Sequence, residues 1–200
     1  ANPIGLIIIA IALLVAGLIW AWNNFETFRN VVMAVINTVV RFFQWMWERY
    51  PFEAGEVCCH KTSLSFLDSV WEIFGTLAHG VPVVIIPADV VKDVDQLVHT
   101  LAAEGITRIV LVPSLLRLML DTYPDLQTRV PKLKIWVSSG EALSFELAQR
   151  FKVSMPQSVL LNLYGSSEAS ADSTWFDTSE GQLRGIVPIG RPITNTSVYI

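Results

Sequence analysis

The 200-residue chain has only two cysteines, and they are adjacent: Cys58 and Cys59, within 56-EVCCHKT-62. Neighbouring cysteines have the wrong Cα geometry for an ordinary disulfide. This excludes a disulfide-built scaffold, so the pair reads as buried thiols on a strand in a reducing, cytoplasmic compartment. His60 beside them suggests a metal, but no second cluster of ligand residues accompanies it, and a zinc site is not expected. Charge is also scarce: Lys and Arg number 14 against 18 Asp and Glu, for a net charge of −4. No Lys/Arg run appears, so the electrostatic footprint of a nucleic-acid binder is missing. Apolar residues are plentiful, at 52% of the chain, and much of the excess lies at one end.

That end is 4-IGLIIIAIALLVAGLIWAW-22, which carries no charge at all. Its length is about what a membrane-spanning helix needs. Trp20 and Trp22 would sit at an interface, and Asn23-Asn24 closes the run. No basic residues precede it, so it does not read as a signal peptide. A soluble alternative is a buried hairpin or helix of a large assembly. The continuation to residue 40 is amphipathic with few charges. The stretches Asn2-Pro3-Ile4-Gly5-Leu6, 12-ALLVAG-17 and Trp22-Asn23-Asn24 resemble apolar segments of phage tail tape-measure proteins. Residues 1–40 are therefore expected to form a separate apolar helical segment. The resemblance implies phage-tail association, and the uncharged run implies membrane association.

After about residue 40 the texture changes. Helical periodicity over 41–50, 69–80, 92–105, 114–123 and 144–154 alternates with short apolar runs at 56–62, 81–87, 108–113, 134–140 and 158–165. This alternation predicts an α/β fold, a parallel sheet with flanking helices, and ligands in such sheets bind beyond the carboxyl ends of the strands. Both 138-SSGEA-142 and 165-GSSEAS-170 fall at such ends.

Four ordered stretches carry a second resemblance: 62-TSLSFLDSVWEIFGTLAHGVPVVI-85, 137-VSSGEAL-143, 162-NLYGSSE-168 and 188-PIGRPITNTSVYI-200. Together they resemble the adenylate-forming superfamily, and within it the adenylation domains of nonribosomal peptide synthetases. The resemblance implies that residues 41–200 are a partial core of the large subdomain of such a domain, and that ATP and Mg²⁺ are used. It implies that Glu168 coordinates the Mg²⁺ on ATP, a hard cation that takes oxygen ligands. Ser167, standing where the family usually has Thr, would bond the α-phosphate. Tyr164 would lie against adenine, and Gly165 would allow close backbone approach. Ser139, Gly140 and Glu141 would line the adenine and substrate mouth through backbone groups. The implied reaction joins a carboxylic substrate to AMP and passes the acyl group to a phosphopantetheine thiol on a carrier protein.

The substrate pocket implied by the resemblance is lined by Leu67, Asp68, Trp71, Val110, Val137, Ser139, Leu163, Ala171 and Asp172. Domains for α-amino acids place Asp directly after the Phe of the first stretch. Here that place is Leu67, and the carboxylate comes one residue later, at Asp68. A buried ammonium needs a counter-ion, so a shifted carboxylate implies a shifted amine. The set is similar to pockets for β-amino acids, β-alanine above all, with Asp172 as a second carboxylate. Two other readings compete: Asp68 serves the start of a helix whose Ser69-Val70-Trp71-Glu72 reads as a capping box, and Asp172 is a solvated turn residue. The family's Ser/Thr/Gly-rich phosphate loop is expected just before residue 41, and an apolar helix stands there instead. The later ribose-binding Asp and the small domain with its catalytic Lys are likewise not in the sequence. The expectation is a fragment that is inactive alone.

Overall fold

A computed structural model describes residues 3–166, 171–180, 185–193 and 197–198. The chain divides into two compact units, Ala1–Val40 and Arg41–Ile200.

In the first unit, helix α1 (Pro3–Asn24) buries none of its side chains. It is 22 residues long, with a mean hydropathy of 2.9 over its most apolar window. The chain continues into α2 (Glu26–Arg49), whose first part exposes Val31, Met33, Val35 and Ile36.

The second unit is built on a seven-stranded sheet in the order β2-β1-β3-β4-β5-β6-β7. The strands are β1 (Cys58–His60), β2 (Val83–Ile85), β3 (Arg108–Leu111), β4 (Ile135–Ser138), β5 (Val159–Ser166), β6 (Ala171–Asp177) and β7 (Arg191–Pro192). Strands β1 to β5 pair in parallel, and β6 and β7 add antiparallel. Short apolar strands with period-two alternation explain the core. Ile109, Trp136 and Leu160 are register partners on one face, and all three belong to one buried cluster with Leu97, Leu116, Met119 and Phe151 from the covering helices. Those helices are α5 (Val94–Ala103), α6 (Pro113–Thr122) and α8 (Phe145–Ser154). The two cysteines are free and buried on β1, and desolvation pushes the Cys58 thiol up to about 12.

The structure differs from the sequence reading at several points. The segment 69–80 is not one α-helix: α3 (Asp68–Val70) passes into a π-helical turn, Trp71–Gly75. The Trp71 ring lies so close to Gly75 that an added Cβ would meet it at 2.1 Å. The Gly75 carbonyl accepts the Trp47 indole N–H at 2.8 Å. The segment 92–105 is interrupted at Asp93, because α4 (Ala88–Lys92) ends there. The Asp93 carboxylate accepts the backbone N–H groups of Asp95 and Gln96, a cap that starts α5 afresh. The short α7 (Leu126–Arg129) and strand β6 have no counterpart in the periodicity reading.

Candidate functional site

The first region of interest starts where β1 ends. The chain leaves His60, runs through an exposed stretch that includes Leu64 and Phe66, and enters α3 at Asp68. The residue before α3, Leu67, has helical backbone angles and makes no side-chain cap, so the expected capping box is absent. Ser69 instead donates its hydroxyl to the Phe66 carbonyl at 2.7 Å. Glu72 turns away from the helix start, because its carboxylate finds four partners on residues 60–62.

Asp68 points toward Ser139, just past the carboxyl end of β4. The Ser139 hydroxyl lies 3.5 Å from Asp68 Oδ1 and 3.5 Å from Asp172 Oδ1. Asp172 reaches this place because of a bulge. Tyr164 pairs with Thr174, and the next residue, Gly165, pairs with Asp172, so Ser173 is the extra residue on β6. In regular pairing Asp172 would face the helix-covered core. The bulge moves it to the face shared by Leu163 and Trp175. Asp172 is buried, which answers the solvated-turn reading of the sequence. Burial raises its carboxyl first, and the Asp68 carboxylate raises it further, to about 8, while the Ser139 hydrogen bond works in the opposite direction. Asp68 is also raised, by burial first, with Ser139 and Lys61 opposing and the Glu72 charge adding to it. Two buried carboxyl groups thus share one hydroxyl.

The structure does not bring the other predicted lining residues to this contact. Trp71, Val110 and Val137 meet at a small cavity of about 20 Å³ that also touches Met46, Cys58 and Arg108. Trp71 is buried among aromatic rings, with Phe42 at 5.4 Å, Phe43 at 5.2 Å and Phe52 stacked at 6.4 Å. Leu163 is buried. Leu67 is 41% exposed and stands outside the Asp68–Ser139–Asp172 contact. Ala171 pairs through its backbone with Ser166.

The second region is a cleft of about 320 Å³ at the carboxyl ends of β4 and β5. Gly140, Glu141, Leu143, Asn162, Tyr164 and Gly165 line it, with Val187 and Ile189 opposite. Gly140 has φ +83°, a left-handed conformation that side chains rarely adopt, so its backbone turns sharply where β4 ends. Glu141 holds this turn: its carboxylate accepts the Ser114 backbone N–H at 3.0 Å and the Ser114 hydroxyl at 2.9 Å, at the start of α6. Tyr164 stays 53% exposed near the end of β5. A cleft of this size with a mostly apolar lining suits one small ligand. Ser167 and Glu168, the expected phosphate and Mg²⁺ partners, lie outside the described residues.

Parallel strands, a glycine turn at the end of β4 and an aromatic residue at the end of β5 place the binding surface at the carboxyl edge of an α/β sheet. Residues 27–200 match the family described as "AMP-binding enzyme", and the chain belongs to that family. The match begins ahead of residue 41 and takes in most of α2. The chain is 38% identical over 174 residues to the "Beta-alanyl-bioamine nonribosomal peptide synthetase ebony" of Drosophila melanogaster, covering 82% of this chain and 20% of that protein. It is 35% identical to the vanchrobactin synthetase VabF of Vibrio anguillarum, covering 84% of this chain and 6% of that one. The chain thus spans a fifth or less of these two relatives. Among solved structures it is similar to the Vibrio cholerae adenylation domain AlmE in complex with glycyl-adenosine-5'-phosphate, with TM-score 0.66 and 23% identity over 78% of this chain and 29% of that chain. The AMPPNP-bound form of the nonribosomal peptide synthetase FmoA3 matches with TM-score 0.72 and 23% identity, over 79% of this chain and 17% of that one. The fold is that of adenylation domains.

Sequence reasoning missed three participants. Ser114 supports the Gly140 turn, Asn162 lines the cleft and donates to the Pro188 carbonyl at 2.9 Å, and Glu72 ties the Asp68 segment down. The chain carried no local signal for the first two, because each acts on a residue 26 or 27 positions away.

Proposed function

We propose that this chain holds the acyl-substrate and adenosine pockets of an enzyme that activates a β-amino acid, such as β-alanine, with ATP. The observation that carries this reading is the meeting of Asp68 and Asp172 on Ser139. A buried ammonium one carbon further from the carboxyl group than in an α-amino acid finds its counter-ion at Asp68 instead of at position 67. The relative named for β-alanyl chemistry supports the choice of substrate, and AlmE and FmoA3, described with an aminoacyl adenylate and an ATP analogue, support the reaction class.

In the reaction, a substrate carboxylate oxygen attacks the α-phosphorus of ATP. The bond from that phosphorus to pyrophosphate breaks, giving the acyl-adenylate. The thiol of a carrier-borne phosphopantetheine then takes the acyl group and AMP leaves. Catalysis of this kind is mostly positioning and charge stabilisation. Tyr164 and the Gly140 turn hold the adenosine; Asp68, Ser139 and Asp172 hold the amine. By the family resemblance, Ser167 would bond the α-phosphate and Glu168 would hold the Mg²⁺, which would offset the phosphate charge. With an apolar helix where the phosphate loop is expected, this chain binds ligands without turning them over.

The test uses two stable adenylate mimics, β-alanyl-sulfamoyl-adenosine and its α-alanyl isomer. They have the same atoms, so size does not separate them. The β isomer is expected to bind more tightly, and Leu67→Asp with Asp68→Ala to shift preference toward the α isomer. Equal affinity of the unaltered chain for both sinks the substrate assignment.

A second reading concerns residues 3–24, for which the favouring observation is a fully exposed, uncharged helix of 22 residues. We propose that it anchors the chain to a lipid bilayer, whose hydrocarbon core is about 30 Å thick and is spanned by roughly 20 residues. Flotation of the full chain with neutral phosphatidylcholine vesicles tests it; a chain that stays at the bottom of the gradient without self-associating counts against an anchor.

A further inference from the structure

We infer that Glu72 is the positioning residue for the amine end of the substrate pocket: its buried carboxylate fastens the chain that leaves β1 to the helical stretch presenting Asp68 and Trp71. This inference rests on the β-amino-acid reading above.

Glu72 is 2% exposed, and among the described residues no Lys or Arg side chain is paired with it. Its Oε2 accepts the backbone N–H groups of Lys61 at 3.1 Å and Thr62 at 2.9 Å, and lies 3.0 Å from His60 Nδ1. Its Oε1 accepts the Thr62 hydroxyl at 2.8 Å. Four partners nearly exhaust what a carboxylate accepts. A buried carboxylate is costly in any geometry that leaves it short of donors, so this arrangement holds one position.

That position matters because of what lies between the tied ends. Residues 63–67 are exposed, and their own tethers are local: the Phe66 N–H to the Ser63 carbonyl at 2.9 Å, and the Ser63 and Ser65 hydroxyls at 2.9 Å. The Phe66 carbonyl accepts the Ser69 N–H and hydroxyl, bonds that start the helix but do not tie it to β1. Asp68 and Glu72 lie four residues apart, on either side of the junction between α3 and the π-helical turn, and the Glu72 charge reaches Asp68 and raises its carboxyl, so a movement of this stretch carries both. The contacts of Asp68 with Ser139 are long, at 3.5 Å, and alone do not fix the side chain. Glu72 supplies the short bonds. The π-helical turn beginning at Trp71 sets its angle, and that turn is pinned from the other side by the Trp47 indole on Gly75. Local π-helical turns often accompany functional sites.

The experiment measures, with the full chain, affinities for β-alanyl-sulfamoyl-adenosine and for its propionyl counterpart, which lacks only the ammonium. The ratio of the two reports the amine end alone. Glu72→Gln keeps the shape but removes the charge and gives an amide donor where an acceptor is needed. The ratio is expected to fall by about tenfold, as for coupled neighbours, with propionyl affinity retained. In an Asp68→Asn background, Glu72→Gln is expected to change the ratio no further. Thr62→Val, which deletes one donor to Glu72 and keeps the volume, provides a milder variant and should lower the ratio in the same direction. A ratio within about twofold of the unaltered chain in both variants, or independent multiplication of the Glu72 and Asp68 losses, overturns the inference. If the unaltered chain shows no preference for the β-alanyl probe, the substrate reading fails and this inference fails with it; a preference that survives in Glu72→Gln defeats the inference alone.

Discussion

The two faces of the sheet in residues 41–200 are made of different material. Under α5, α6 and α8 one face is closed and apolar where Ile109, Trp136 and Leu160 stand in register. The opposite face gathers ring stacks and charge: Trp45 against Trp175 at 5.0 Å, Arg108 over Phe52 at 4.0 Å, Glu56 paired with Arg108, and Asp68 with Asp172 on Ser139. Because strand side chains alternate, neighbours in sequence serve opposite faces. Trp136 is core and Val137 lines the small cavity with Trp71 and Val110. The difference separates two free-energy ledgers. Apolar burial on the first face stabilises the fold non-directionally. On the second, every buried polar group needs a placed partner.

If the separation holds, the largest effect comes from the closed face and leaves binding alone. Trp136 is fully buried, packs edge-on against Phe151 at 5.5 Å and donates its indole N–H to the Leu133 carbonyl at 3.3 Å. Trp136→Ala is expected to cost about 3–5 kcal/mol of stability, read from urea denaturation. At temperatures where the variant stays folded, its preference for β-alanyl over propionyl adenylate mimics should be unchanged. A shifted preference would show that the faces are coupled through β4.

Asp68→Ala works the other way. Removing one partner of a buried charge pair costs about 3–5 kcal/mol, or on the order of 10²- to 10³-fold or more in affinity for the ammonium-bearing probe. Stability should hold or rise, since a desolvated carboxylate is gone. Titration calorimetry with the β-alanyl probe checks the first part and thermal denaturation the second. A loss under about threefold would reduce Asp68 to a helix-start residue, well short of what the lost pair predicts.

How much of this was legible in the sequence depended on the face. Helices α5, α6 and α8 and strands β3, β4 and β5 follow from periodicity, because a one-sided aliphatic face imprints a regular pattern. The other face imprints none. Asp68 and Asp172 lie 71 and 33 residues from Ser139, a distance no local pattern spans, and only the family-like stretches around them suggested that they share a pocket. Strand β6, with the sequence ADSTWFD, lacks alternation because its bulge changes the face in mid-strand. Glu72 fits a capping-box pattern, but its four contacts on residues 60–62 outcompete one helix-terminal N–H. The π-helical turn depends on a ring lying over Gly75, a contact invisible to propensity.

A smaller effect concerns pH. The folded chain holds Asp172 protonated up to about 8, far above its ordinary value of 3.8, and Asp68 is raised in the same direction. Between those limits the native state binds more protons than the unfolded chain, so stability falls as pH rises from about 4 to about 8. Binding of the ammonium probe should strengthen over the upper part of the same interval, as the carboxyls ionise. Asp172→Asn is expected to flatten the stability slope, each kcal/mol recovered at pH 8 raising the melting temperature by about 2–4 °C for a chain of this size. Melting curves at pH 5 and pH 8 for both chains decide it. A slope that is the same in the variant places the titration elsewhere.

The smallest expected effect is the sharpest test of how the charged face is organised. Ser139 touches both carboxylates, yet a hydroxyl has a single proton to donate. In the empty pocket it serves one of them at a time, over long 3.5 Å contacts. Once an ammonium lies between Asp68 and Asp172, its own three donors satisfy both acids and the hydroxyl becomes a spectator or an acceptor. Ser139→Ala should therefore weaken the β-alanyl probe by only about 0.5–1.5 kcal/mol, the worth of one neutral hydrogen bond. It should also move the onset of binding to higher pH, because the hydroxyl that favours ionised Asp172 is lost. Affinity measured from pH 6 to pH 9 separates the two effects. A loss as large as that of Asp68→Ala would mean that Ser139 is a principal contact of the ammonium, and the pair of carboxylates would then act as its support.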